Sequence, residues 1–160
     1  MSSWHTDYKS IRLPVPLVMQ LDDGDCLAAC AKMVLSYIGH SASRRRLLRL
    51  LNVRKQGSYF PNLEQLARLG VSVTIRRGDL PQLYHALSNN IPAIVPVQTA
   101  ELPYWNGVAS QHAVVVGMEQ GYLRINDPTV AIPAMRVPIG DFDLAWLEQG
   151  EQYAVLISKS

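Results

Sequence analysis

Four side chains are of the types, and stand in the order, that nucleophilic acyl transfer needs: Gln20, Cys26, His112 and Asp127. Cys26 opens a run with helical periodicity. A thiol at a helix N-terminus sits in the positive end of the helix dipole, which favours the thiolate and makes a nucleophile at neutral pH. An imidazole beside it deepens that effect and later hands its proton to a leaving amine, and His112, at the head of an apolar run, is the candidate. Asp127, after the next apolar run, can reach across and hold the imidazole in one tautomer. Gln20 precedes Cys26 with five residues between them, and its amide can join the backbone N–H of Cys26 in stabilising the oxyanion of a tetrahedral intermediate. Taken singly, Cys26 reads as a core thiol, His112 as a satisfied core histidine and Asp127, before Pro128, as a turn residue. The four together outweigh those plainer readings.

The elements that must carry them follow from periodicity. Leu27, Ala31, Val34, Leu35 and Ile38 recur at three and four, which predicts a helix from Cys26 to Ile38, led in by Asp22, Asp23, Gly24 and Asp25 as cap residues and stopped by Gly39. A second helix over Ser43–Leu51 sets Leu47, Leu48, Leu50 and Leu51 against Arg44, Arg45, Arg46 and Arg49, and a third runs over Asn62–Leu69 before Gly70. From Val71 the period changes to two: Val71, Val73 and Ile75 alternate, a helix over Leu80–Ser88 follows, and Ala93–Val97 resumes the strand pattern. Gln98–Gln111 reads as an irregular loop, Ala113–Val116 and Tyr122–Ile125 as a hairpin turning at Gly121, and Tyr153–Ile157 as a closing strand. Helices first and strands later predict an α+β fold, a helical lobe packed on an antiparallel sheet.

Composition narrows the class. With 160 residues, 48% hydrophobic and 18% charged, the chain has ample core-forming material and reads as one domain spanning 1–160. A net charge of +2 argues against nucleic acid as the partner. The cluster Arg44, Arg45, Arg46, Arg49, Arg54 and Lys55 reads as the solvated side of a helical lobe, with docking of an acidic peptide or protein partner as its functional alternative. No secretory signal core occurs in Met1–Ser10 and no apolar run reaches the roughly 20 residues a membrane span needs, so the expectation is a cytoplasmic protein. The two cysteines, Cys26 and Cys30, lie four apart, where helical Cβ atoms sit about 5–6 Å from each other rather than the roughly 3.8 Å of a disulfide. Both are read as free, Cys30 as packing. They complete no metal-ligand set with His112, and no cofactor is expected. His5, His40 and His85 read as solvent-facing or loop residues. Tyr104 and Trp105 sit in the loop leading into His112, where they border a substrate groove or simply pack the loop.

The sequence resembles the C39 peptidases, papain-like cysteine peptidases known chiefly as leader-cutting domains of bacteriocin exporters. The resemblance rests on Gln20, the Asp25-Cys26 pair, the helix end Met33-Val34-Leu35-Ser36-Tyr37-Ile38-Gly39, the strand His112-Ala113-Val114-Val115-Val116, the turn Asn126-Asp127-Pro128, and Phe142 and Trp146. It implies a papain-like fold, with Cys26 as nucleophile, His112 as general base and acid, Asp127 as orienting residue and Gln20 as oxyanion donor. It also implies cleavage of a peptide or protein tail, in the family's usual case after a paired-glycine leader motif. Leu27 stands where the exporter domains usually carry Gly, so it becomes a candidate substrate-pocket residue beside Tyr104 and Trp105. Without a membrane span or a phosphate-binding loop, the chain looks like a stand-alone member. Two alternatives stay open: an acyltransferase or amidase using the same thiol on a small substrate, and a catalytically silent peptidase-like binding module.

Overall fold

The computed structural model of the chain describes residues 9–159, so His5 and most of the stretch read for a signal core lie outside it. Helix α1 spans Cys26–Tyr37 and is buried along almost its whole length, from Cys26 and Leu27 to Val34 and Leu35. Gly39 ends it as expected. With φ at +83° it adopts the left-handed conformation that glycine takes without strain. The helix end then closes as a Schellman motif, His40 N–H donating to Leu35 O at 2.8 Å and Gly39 N–H to Ser36 O at 3.1 Å. Helix α2, Arg44–Leu50, is capped by Ser43, whose hydroxyl accepts from Arg46 N–H at 3.1 Å. Leu47 and Leu51 are fully buried beneath it while Arg45, Arg46 and Arg49 face water, which is the predicted amphipathic split.

The third predicted helix is a tighter 3₁₀ segment, Phe60–Leu69, that starts two residues early because Pro61 suits a first turn. Strand β1 is the short Ile11–Arg12, β2 is Val71–Arg77 and helix α3 is Leu80–Ser88, opened by an Asp79/Gln82 capping box. Strands β3, Ala93–Pro96, and β4, His112–Glu119, are almost wholly buried, and β5 is Tyr122–Asn126. Between β3 and β4 the loop holds one 3₁₀ turn, Thr99–Glu101. Two elements have no counterpart in the sequence expectations: β6, Met135–Pro138, and helix α4, Ile139–Glu148. β6 buries only Val137, and α4 has no side-chain cap and carries Gly140 in its first turn, so neither leaves a clear periodic signature. Strand β7, Gln152–Ser158, completes the set.

The strands form one antiparallel sheet in the order β2-β7-β3-β4-β5-β6, with β1 pairing the far end of β4. Helix α1 packs across β4, so the first residue of the helix and the first residue of the strand meet. Phe142 and Trp146 of α4 are fully buried with ring centroids 5.6 Å apart, and Trp146 Nε1 donates to Gln152 O at 2.8 Å. Truncating either ring to alanine costs a core of this kind about 3–5 kcal/mol. The α+β class, the helical lobe and the antiparallel sheet are as expected. No helix of the described residues is long and apolar enough to cross a membrane.

Candidate active site

The loop before α1 sets the nucleophile in place. Gly24 has φ at +88°, and a Cβ there would lie 2.6 Å from Arg54 O and 2.7 Å from Lys55 O. Only glycine lets the 22–25 loop pack against the Arg54–Gly57 turn, which is closed by a backbone bridge between Arg54 and Gly57. Asp25, the residue before α1, makes no side-chain cap, contrary to the expectation for this acidic stretch. Its carboxylate is taken instead by Arg44, through Nε at 3.2 Å and through NH2, and by Asp22 N–H at 3.3 Å. Arg44 also reaches Asp22 at 3.0 Å, so α2 is fastened to the residue preceding Cys26.

Cys26 Sγ lies 3.2 Å from Nδ1 of His112, and each residue is only 4% exposed. Phe60 covers the imidazole, its ring 5.8 Å from the His112 ring centroid and 8° from parallel. Burial pushes the Cys26 thiol above its ordinary value, with backbone N–H groups around Gln111 and Leu27 pulling weakly the other way. Burial also lowers the imidazole of His112 to about 4. Both directions run against the expectation of a thiol held as thiolate at neutral pH, because burial disfavours the charged form of either group.

Asp127 is fully buried directly after β5. Its Oδ1 accepts from Thr129 N–H at 2.9 Å, Thr129 Oγ1 at 2.7 Å and Ser110 Oγ at 3.2 Å, and its Oδ2 accepts from Tyr104 OH at 2.7 Å. Among the described residues no hydrogen bond joins Asp127 directly to His112. Ser110 stands between them, its hydroxyl also 2.8 Å from His112 O. Gln20 is anchored through its backbone N–H to Pro128 O at 2.9 Å, beside Asp127. Its Nε2 makes only a long 3.4 Å bond to Asp22 O, and its Oε1 is buried without a partner. Gln20 and Cys26 share a cleft of about 340 Å³ walled by Lys55 and Gln56 on one side and Ala109–Gln111 on the other.

One of the three candidate substrate contacts is corrected. Leu27 is 0% exposed inside the core, because the second residue of α1 points at the sheet and offers no surface to a ligand. Tyr104 turns its hydroxyl inward to Asp127. Trp105 is 48% exposed on the same loop and stays available. Cys30 is fully buried, its thiol pushed well up by burial and then by the neighbouring Cys26 and Asp127, which suits a packing residue. Both thiols are free. His40 bonds Ser158 Oγ at 2.9 Å and His85 is exposed. No group of His, Cys, Asp and Glu among the described residues is arranged to hold a metal. Sequence reasoning did not pick out Phe60, Ser110, Thr129 or the Arg44–Asp25 pair as parts of the site. Only Pro61 after Phe60, and Arg44 within an arginine run, offered any signal.

The fold has close relatives of known structure. A chain described as a C39-like peptidase of Bacillus anthracis superposes with a TM-score of 0.80 at 19% identity, covering 96% of this chain and 100% of that one. The peptidase domain of Streptococcus ComA, a bifunctional ABC transporter of a quorum-sensing pathway, gives 0.73 at 24% identity, covering 91% and 99%. A double glycine motif protease from an AMS/PCAT transporter, solved with its leader peptide, gives 0.72 at 20% identity, covering 96% and 100%. Among curated proteins none matches the sequence. The model of the Peptidase C39 family, however, matches residues 14–159. That match spans the paired thiol and imidazole together with strands β2 to β7, and the chain belongs to the Peptidase C39 family of cysteine peptidases.

Proposed function

We propose that the chain hydrolyses a peptide bond in a peptide or protein tail, with Cys26 as nucleophile, His112 as base and acid, Asp127 as orienting group and Gln20 as oxyanion donor. The 3.2 Å contact between Cys26 Sγ and His112 Nδ1 carries this reading. As Sγ attacks the carbonyl carbon its proton passes to Nδ1, and the oxyanion draws on the backbone N–H of Cys26 and on Gln20 Nε2. Collapse breaks the C–N bond, the imidazolium returns its proton to the departing amine, and a thioester remains on Cys26. Water, deprotonated by His112, attacks the thioester and releases the acid and the thiol.

The cleft's surroundings support an extended substrate. Beside it, an apolar hollow of about 260 Å³ shares Gln20 and is lined by Val18, Met19, Leu21, Ala28 and Leu47, which suits one apolar side chain. Lys55 stands on the cleft wall, and Arg45, Arg46, Arg49 and Arg54 have no ion-pair partner among the described residues. That charge favours a peptide or partner bearing acidic side chains. Cleavage after a paired glycine, as in the double glycine motif protease of the same fold, is the candidate specificity. A nucleophile that must stay reduced suits a cytoplasmic setting.

The test is incubation with leader peptides ending in Gly-Gly and with a mixed peptide library, read by mass spectrometry. Cleavage by the parent protein and none by Cys26→Ala is the expected result. Rapid alkylation of Cys26 with no peptide cut would move the reading to acyl transfer.

A further inference from the structure

The Asp127 carboxylate has uneven capacity left. A carboxylate offers about four lone-pair sites, two on each oxygen. Oδ1 is already approached by Thr129 N–H, Thr129 Oγ1 and Ser110 Oγ at 2.9, 2.7 and 3.2 Å. Oδ2 has a single donor, Tyr104 OH at 2.7 Å. Any hydrogen bond that Asp127 accepts from the imidazole must therefore use Oδ2, and the direction in which its remaining lone pair points is set by one hydroxyl. Tyr104 is partly buried, and the loop that carries it is held behind it: Ser110 N–H donates to Thr99 Oγ1 at 2.8 Å, Thr99 N–H to Ser110 O at 3.0 Å, and Trp105 N–H to Leu102 O at 3.1 Å.

We infer that Tyr104 is a positioning residue, its hydroxyl fixing the one Asp127 oxygen still able to accept from His112. The inference rests on the Cys26–His112–Asp127 reading above. It gives the 98–111 loop a part in the chemistry as well as a share in the cleft's lining. Phenylalanine in place of Tyr104 keeps the ring and removes only the hydroxyl, leaving Oδ2 to rotate and to share its charge differently with the imidazole.

The probe is p-nitrophenyl acetate, which needs no peptide specificity: the nitrophenolate burst counts acetylated Cys26 and the steady rate that follows reports deacylation by water and His112. Tyr104→Phe is expected to keep the burst and slow deacylation about tenfold. Its deacylation should lose its acid limb at higher pH than the parent's, because a carboxylate relieved of a donor stabilises the imidazolium more strongly. The double variant Tyr104→Phe/Asp127→Asn should be no slower than Asp127→Asn alone, since the hydroxyl acts only through the carboxylate. Parental deacylation in Tyr104→Phe overturns the inference, as does a double variant slower than Asp127→Asn. A loss of rate with the acid limb unmoved assigns Tyr104 to packing and overturns it too. The underlying catalytic reading has its own arms: Cys26→Ala must lose the burst and His112→Gln must lose deacylation, and either of them behaving as the parent overturns that reading instead.

Discussion

Phe60 lies parallel to the imidazole of His112, 8° between the ring planes and 5.8 Å between centroids, so the ring paired with the Cys26 thiol has an aromatic lid from the helical lobe. The lid helps keep water from a ring whose proton affinity is already lowered to about 4 by burial. In Phe60→Ala the imidazole gains water, and its pKa rises toward the ordinary value of about 6.5. An NMR titration of His112 in the Cys26→Ala background checks this. A ring that titrates near 6.5 with Phe60 still in place would contradict it.

The same burial makes folding stability depend on pH. His112 binds its proton more weakly folded than unfolded, so between about 6.5 and 4 the unfolded chain holds more protons and stability falls as the pH falls. The full effect is on the order of 3 kcal/mol, present above the unfolded value and lost on acidification. Urea midpoints of the parent and of His112→Gln, compared from pH 7.5 to 4, should converge as the pH drops. Parallel curves would mean the imidazole is not held neutral.

Glycine at two left-handed positions is needed for different reasons. At Gly39 a Cβ meets nothing within 4 Å, so Gly39→Ala pays only for the backbone conformation, about 1–2 kcal/mol. At Gly24 the Cβ would also press on two carbonyl oxygens of the Arg54–Gly57 turn. Gly24→Ala should therefore lower the denaturation midpoint further than Gly39→Ala and, by pushing Lys55 and Gln56 off the cleft and uncovering the thiol, speed alkylation of Cys26 by iodoacetamide. Equal midpoints and equal alkylation rates would count against the close approach.

Leu27 and Lys55 separate packing from recognition. Leu27→Ala removes a fully buried side chain and should cost about 2–5 kcal/mol while leaving the order of preference among peptides unchanged. Lys55→Glu should leave stability nearly as it is and lower kcat/KM several-fold for peptides with acidic residues near the cut, an effect that fades at high salt. A specificity change in Leu27→Ala, or none in Lys55→Glu, would reverse the assignment.

Much of this was legible along the chain because it is local. The helix over Cys26–Tyr37, the Gly39 stop, the capped Arg44–Leu50 helix and the His112 strand all follow from spacing and turn residues within a dozen positions. The thiol and the imidazole could be named because the order of chemical types is itself informative. What escaped is non-local or weakly patterned. Phe60 reaches His112 across a third of the chain, and Arg44 leaves its own helix to hold Asp25. Leu27 was assigned by its neighbour in sequence, whereas the turn of the helix decides which way it points. The direction of the thiol's proton affinity reversed for a similar reason: a helix end favours the thiolate, but burial by distant elements outweighs it.

Strand β7 runs between β2 and β3, although it follows every other strand in chain order. During synthesis β2 therefore waits without its partner until β7 is available, and the floor on which β4 presents His112 closes only then. Cys26 precedes His112 by 86 positions, so the thiol and the imidazole come together only after β4 has been made and packed on α1.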